Sequence, residues 1–271
     1  MTVTDVNVVK SAIFERPDDA NKGTLGSLLC VCGSYGMAGA AVMSAKGALR
    51  TGIGLAKCAL PRSIYPIVAQ TILESVYYPL SENADGRISK VNVPFLVSES
   101  CKSSATLVGC GLGVCDDTLK IVFSLIENST TPLVLDADAL NCVAKQPEIL
   151  LRKKVPIIIT PHPGEMSRLT GLATPLVNAE RERVALDFAQ KYGVVTVLKG
   201  AGTVIASPNG KVLVNPTGNS GMATGGSGDV LAGMTASILA QGASAFSSAA
   251  AAVYLPVSYT HLRAHETLSD L

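Results

Sequence analysis

Residues 105–136 read ATLVGCGLGVCDDTLKIVFSLIENSTTPLVLD, and this stretch decides the fold. An apolar run, Ala105–Cys110, is followed by an amphipathic segment, Asp116–Glu127, and then by a second apolar run, Pro132–Asp136. A strand, a helix and a strand in that order form a parallel unit, because parallel strands need a long crossover between them. Working outward, the same alternation recurs. Strands are expected at Ser27–Cys32, Gly54–Leu60, Pro156–Thr160 and Val194–Lys199, and helices at Ala38–Arg50, Asn178–Lys191 and Asp229–Gln241. Near-continuous apolar strands predict a mostly parallel sheet covered by helices on both faces, an α/β fold. Thr203–Ser207 and Lys211–Asn215, joined by Pro208-Asn209-Gly210, predict a small antiparallel hairpin added late.

The chain has 271 residues, 48% hydrophobic and 16% charged, which suits one large α/β domain. Lys+Arg 22 against Asp+Glu 21 gives a net charge of +1, which removes the electrostatic case for nucleic-acid binding. No apolar run approaches the ~18 residues of a membrane span, and the N-terminal sequence lacks the pattern of a signal peptide. Seven scattered cysteines form no C-x-x-C pair, so a reduced, cytoplasmic protein is expected.

In such sheets ligands sit beyond the carboxyl ends of the strands, so the residues just after each apolar run carry the information. They are polar or glycine-rich: Gly33-Ser34, Gly111-Leu112-Gly113, Asp136-Ala137-Asp138, Pro161-His162-Pro163-Gly164-Glu165 and Lys199-Gly200. The strongest signal is Gly221-Met222-Ala223-Thr224-Gly225-Gly226-Ser227-Gly228-Asp229, which opens an apolar helix. Glycines there permit close approach to a ligand, and the helix start offers unpaired N–H groups and a positive dipole end, which together suit phosphate. Asp229 at its rim is placed to take a proton from an attacking hydroxyl, or to cap the helix.

Other segments leave two readings open. Gly33 to Gly39 is spaced G-x-x-G-x-x-G and lacks the acid expected about 20 residues later, so it is no NAD-type fingerprint. Its small residues suit either a ligand or tight packing. His162, held between prolines, is structural or catalytic, and Glu165 binds Mg²⁺ through water or caps the next helix. Asp136, Asp138 and Asn141 gather after one strand. Lys199-Gly200-Ala201-Gly202-Thr203 holds a nucleotide or forms a tight turn, and lacks the Gly-Lys-Ser/Thr of a Walker loop.

Taken together, KGTLGSLLCVCGSYGMAGAA (22–41), VLDADALN (134–141), ITPHPGEMSRLTG (159–171), VLKGAGT (197–203) and NPTGNSGMATGGSGDVLAGM (215–234) resemble the ADP- or ATP-dependent NAD(P)H-hydrate dehydratase family of the ribokinase-like superfamily. The similarity covers about residues 20–255, and PHPGE with ATGGSGDVLAG is its most specific part. The resemblance implies repair of (S)-NAD(P)H hydrate: a nucleotide, ADP expected, phosphorylates the hydroxyl, and loss of phosphate restores NAD(P)H. It implies Asp229 as base and the amides of Gly226, Ser227 and Gly228 as anion hole. Lys199, Gly200, Ala201, Gly202 and Thr203, with Gly228, are implied to hold the nucleotide, and Ala40, Gly113, His162 and Asp229 to contact the hydrate. Mg²⁺ is implied with the nucleotide, near Glu165 through water. A homo-oligomer, a tetramer among the options, and a separate epimerase are further expectations, since about 20 residues precede the match. From Pro256 the sequence PVSYTHLRAHETLSDL leaves the family pattern, so residues 1–255 are expected to form the domain. Residues 256–271 are read as an atypical tail, of a kind that a frameshift, chimaeric join or read-through leaves. His261 and His265 in it lack the H-E-x-x-H order of a zinc helix. A small-molecule kinase of the same superfamily and a nucleotide-binding module without catalysis are the competing readings.

Overall fold

The computed structural model describes residues 3–4, 6–13, 23–217 and 224–266. In chain order the first elements are α1 (Val6–Ala12), β1 (Ser27–Val31), α2 (Ala38–Arg50), β2 (Leu55–Pro61), α3 (Tyr65–Thr71) and β3 (Val76–Leu80). Next come α4 (Val93–Cys101), β4 (Ala105–Val108), α5 (Asp116–Asn128), β5 (Leu133–Leu135), α6 (Asp138–Val143), β6 (Ile157–Ile159) and α7 (Pro163–Thr170). The last are α8 (Thr174–Ala179), α9 (Arg181–Tyr192), β7 (Val195–Leu198), β8 (Thr203–Ala206), β9 (Val212–Asn215), α10 (Ser227–Ala240) and α11 (Ala245–Glu266).

One sheet runs in the order β3-β2-β1-β4-β5-β6-β7-β8-β9. The strands from β3 to β7 are parallel, and β8 and β9 pair antiparallel at the end, as the hairpin reading expects. The central strands β4, β5, β6 and β7 are buried at every position. Alternate side chains feed two separate cores, as a period of two requires. Leu29, Val31, Leu133 and Ile157 meet α4 to α9, whereas Leu28, Cys30, Val134 and Ile158 meet α2, α3, α10 and α11.

The direction of strand progression reverses between β1 and β4, and the crevice at such a switch point is where α/β sheets bind ligands. Helix α10 is held over it by close packing on α2. A Cβ at Gly233 would lie 2.0 Å from Ser44 O, and one at Gly47 would lie 2.7 Å from Val230 O. Only glycine at both places lets the helices come this near.

Three differences from the sequence reading have local causes. The helix expected over Asn178–Lys191 is two helices, broken where Glu180 leaves helical dihedrals, after which Arg181 reaches across to the Leu198 carbonyl at 2.8 Å. Strand β3 went unrecognised because Pro79 interrupts it, which is tolerated here because β3 is an edge strand. The short helices α6 and α7 begin directly at strand ends, so the polar residues there serve a site and a helix start at once.

Candidate functional site at the strand tips

The site lies where β1, β4, β5, β6 and β7 end, under the first turn of α10. Two glycine loops are laced together at its floor: Gly33 N–H donates to Cys110 O at 2.8 Å, and Ser34 Oγ donates to Gly111 O at 2.8 Å. Glycine is demanded by space as well as by dihedral angle. Gly109 has φ +127, and a Cβ there would lie 1.9 Å from Asp136 O. Gly111 abuts Ala40 of α2, where a Cβ would approach the Ala40 methyl to 2.7 Å. Gly113 N–H donates to Asp138 Oδ2 at 2.8 Å, which ties the β4 loop to the β5 loop. Between them Ala137 takes φ 49, a left-handed angle that is uncommon outside glycine and costs on the order of 1 kcal/mol.

Asp136 is the hub. It is 1% exposed, and its Oδ1 accepts from Lys199 Nζ at 2.7 Å and from Thr160 Oγ1 at 2.6 Å. Lys199 also stands 3.9 Å from Glu165 Oε2 and lies against Gly228, whose added Cβ would be 3.4 Å from Nζ. Burial alone would lower the Lys199 pKa, but the Asp136 and Glu165 carboxylates outweigh it and raise it. Burial, joined by the Asp136 charge, raises Glu165 to about 7 against the pull of Lys199. Asp229 is raised to about 6, by burial first and by Asp136 second, while Cys110 and Lys199 oppose. The helix dipole at α10 would favour its ionised form, so desolvation and like charge win over the dipole here.

The PHPGE segment forms a helix start of its own. His162 Nδ1 accepts from the N–H groups of Gly164 at 3.0 Å and Glu165 at 3.3 Å, while Glu165 Oε2 accepts from His162 N–H at 2.8 Å. Pro163 occupies the first helical position, where its missing N–H costs nothing. An accepting Nδ1 places the proton of the neutral ring on Nε2, the half-exposed edge. Burial, then the Lys199 and Arg168 charges, lower the His162 pKa and keep the ring neutral.

At the α10 start, Gly226 has φ 90, and a Cβ there would collide with the Met43 thioether at 2.0 Å. Of the three amides expected to form an anion hole, Ser227 N–H is engaged with Thr224 O at 3.3 Å. Gly221, Met222 and Ala223 lie outside the described residues. The loop from Lys199 to Thr203 closes on itself, with Thr203 Oγ1 donating to Gly200 O at 3.0 Å. The Arg181 guanidinium packs beneath Gly200, 3.0 Å from where a Cβ would be.

The structure therefore brings Asp229, Lys199, Glu165, His162 and Gly228 into one charged cluster around Asp136, with Gly113 tied in through Asp138 and Ala40 packed on Gly111. Gly200, Ala201, Gly202 and Thr203 form the adjoining loop between β7 and β8. The residues that sequence reasoning passed over are Cys110, Thr160 and Arg181. The first two close apolar runs and carried that positional signal. Arg181 opens the helix before β7, outside any apolar run or glycine loop, and carried none.

Residues 28–267 match the family described as NAD(P)H-hydrate dehydratase. The chain belongs to this family. It is 38% identical over 246 residues to the bifunctional NAD(P)H-hydrate repair enzyme Nnr of Moorella thermoacetica, covering 91% of this chain and 46% of that protein. It is 35% identical over 243 residues to the ADP-dependent (S)-NAD(P)H-hydrate dehydratase of Neisseria meningitidis serogroup B, covering 89% and 78%. The ADP/ATP-dependent NAD(P)H-hydrate dehydratase of Bacillus subtilis, co-crystallised with ATP and Mg²⁺, superposes with a TM-score of 0.81 at 31% identity, covering 96% and 88%. The ribokinase-like architecture expected from the sequence is thus the observed one. The chain spans about half the length of the bifunctional relatives it matches. Among the described residues no helix is long and apolar enough to cross a membrane.

Proposed function

We propose that this chain catalyses the nucleotide-dependent dehydration of (S)-NAD(P)H hydrate to NAD(P)H, with ADP as the expected phosphoryl donor. The observation that carries the reading is Asp229 in the first turn of α10, raised to about 6 beside the Asp136–Lys199 pair at the strand tips. A carboxylate at that value is ionised near neutrality yet basic enough to accept the hydroxyl proton as the oxygen attacks phosphorus. The amides of Gly226, Ser227 and Gly228 face the incoming negative charge. Ser227 N–H, now bonded to Thr224 O, must rotate to take part. Lys199 spreads positive charge towards the transferred phosphoryl group, and the loop to Thr203 with Gly228 orients the nucleotide. Ala40, Gly113 and His162 contact the hydrate, with Nε2–H of His162 as donor. Phosphoryl transfer rests mostly on such positioning and charge stabilisation.

Glu165 has one oxygen spent on its helix cap and the other 3.5 Å from His162 Nε2, so it suits a water-mediated contact to Mg²⁺ rather than direct ligation. Mg²⁺ there would neutralise phosphate charge. Residues 1–255 hold every residue assigned a role, and we take them as the catalytic domain, with 256–271 as the tail. We also propose a cytoplasmic homo-oligomer, supported as to compartment by seven free cysteines, and an epimerase activity as the metabolic partner that supplies the S form.

The test is direct. Purified protein with Mg²⁺ and ADP or ATP is expected to restore the reduced-nicotinamide absorbance to NADH or NADPH hydrate. No recovery with either nucleotide, or accumulation of a stable phosphorylated alcohol, overturns the reading.

A further inference from the structure

The deepest part of the site holds a donor set of which the proposed phosphoryl transfer uses only Asp229 as base. Cys110, Asp136 and Asp229 each offer one ligand atom, and these three atoms lie within 4.8 Å of one another. They come from three elements: the residue pair after β4, the residue after β5, and the first turn of α10. Asp136 divides its labour. Its Oδ1 is occupied by Lys199 and Thr160, whereas its Oδ2 has the Cys110 thiol at 3.7 Å as its one recorded hydrogen-bonding neighbour among the described residues. A thiol is a weak donor, so a nearly fully buried carboxylate oxygen faces the cluster poorly satisfied.

We propose that Cys110 Sγ, Asp136 Oδ2 and an Asp229 oxygen form a binding site for a thiophilic divalent cation, Zn²⁺ or Cd²⁺, whose occupation inhibits the enzyme. Zinc–sulfur bonds near 2.3 Å and zinc–oxygen bonds near 2.1 Å set donor separations of about 3.3–3.8 Å in a tetrahedron, and the larger Cd²⁺ tolerates wider ones. Cys110 Sγ and Asp136 Oδ2 already stand 3.7 Å apart, and separations of up to 4.8 Å within the set need to close by about 1 Å, within the reach of side-chain rotation. Binding forms the metal–sulfur bond and breaks the Cys110 S–H bond, and the proton leaves to solvent. The ligands then carry three negative charges, two offset by the cation and one by Lys199 on the far oxygen of Asp136. Mg²⁺, which prefers oxygen ligands and octahedral geometry, is selected against by the sulfur. Inhibition follows because the cation takes the Asp229 oxygen that would accept the proton, and that consequence rests on the function proposed above.

The experiment is a Cd²⁺ titration of the Cys101→Ser/Cys115→Ser protein, which removes the two cysteines that are not buried, read by the ultraviolet sulfur-to-metal charge-transfer band. One equivalent is expected to develop the band. Cys110→Ala should abolish it or weaken binding about tenfold or more, while Cys32→Ala, which removes the neighbouring thiol, retains it. Zn²⁺ should inhibit turnover, with an inhibition constant about tenfold or more higher in Cys110→Ala when each protein is compared with its own metal-free rate. A band that survives Cys110→Ala, or no band in the parent, overturns the site. A normal band with Zn²⁺-insensitive turnover overturns the inhibition alone. A normal band in a protein without dehydratase activity leaves the site standing and removes the functional reading.

Discussion

Two clusters of buried charge lie on the same sheet and are built to opposite ends. Near the β2–β3 edge, Glu99 receives Lys102 Nζ at 3.0 Å and the Tyr78 hydroxyl at 3.1 Å, with Lys57 at 3.8 Å. Burial there pushes its pKa up, but Lys102, Tyr78 and Lys57 together outweigh burial and hold it below the ordinary value. At the strand tips three carboxylates, Asp136, Glu165 and Asp229, share one lysine, and burial wins for both Glu165 and Asp229. The first cluster has donors in surplus and acts as a clasp. The second has acceptors in surplus, so Glu165 and Asp229 keep an affinity for protons, which is what a base requires.

The largest effect should come from breaking the acceptor surplus at its reactive member. Asp229→Asn is expected to lower kcat by about 10²–10⁴-fold while nucleotide affinity changes little, measured by steady-state kinetics and calorimetric titration. Unchanged turnover removes the base assignment. Next, the two hubs can be set against each other. Asp136→Asn takes the nearer carboxylate charge from the buried Lys199, leaving it Glu165 at 3.9 Å, and should cost about 3–5 kcal/mol in denaturant unfolding. Glu99→Gln, in the cluster that also borders solvent, should cost about 1 kcal/mol or less. Equal losses would show that the two clusters are the same kind of structure. Asp136→Asn also removes a like charge from Asp229, so the acid limb of its residual rate profile should move to lower pH.

How far this contrast was legible in the sequence depends on how local each cause is. The central strands were readable because each is a short apolar run buried on both faces, and α2 because its alanines and glycines recur at helical spacing. The break at Glu180 was not, because it is tied to Arg181 docking on the Leu198 carbonyl, a tertiary contact between a helix start and the end of the next strand that no periodicity signals. In the site, Asp229, Lys199, His162 and Glu165 stood out by following apolar runs or glycines. The hub role of Asp136 was not visible, since it depends on Lys199 arriving 63 residues later. Nor was the engagement of Ser227 N–H with Thr224 O, a matter of one turn's geometry. Sequence exposes which residues reach the strand tips. Folding decides how they share protons.

Stability against pH separates the clusters in sign. Glu165 is raised from 4.5 to about 7, so between those values the folded protein binds the proton more tightly than the unfolded chain. Its contribution is therefore full below about pH 4.5 and is lost as pH rises through 7. Glu99, with a lowered value, contributes above about pH 4.5 and loses that contribution as pH falls through its folded value. Without nucleotide or divalent metal, Glu165→Gln should be more stable than the parent at pH 8 by about 1–2 kcal/mol, an advantage that vanishes by pH 5. Gln keeps the helix cap, so the comparison reads the charge alone. Glu99→Gln should show the reverse, a deficit at pH 8 that closes on acidification. Thermal unfolding across pH checks both, and parallel curves for the two variants would refute the opposed signs.

The smallest effect tests whether His162 belongs to the clasp-like or the reactive kind. Its Nδ1 accepts two backbone N–H groups at the α7 start, a structural duty, while its Nε2 edge stands half-exposed at the site. His162→Ala removes both and should cost about 1 kcal/mol through loss of the cap. His162→Asn supplies a side-chain oxygen suited to the same capping position and should recover most of that stability. It does not carry the ring to the Nε2 position. If the exposed edge donates to the hydrate, His162→Asn should keep the parental melting temperature and still raise KM for the hydrate, with kcat less affected. A variant that recovers stability and KM together would make the histidine a cap and nothing more, and would move it into the company of Glu99.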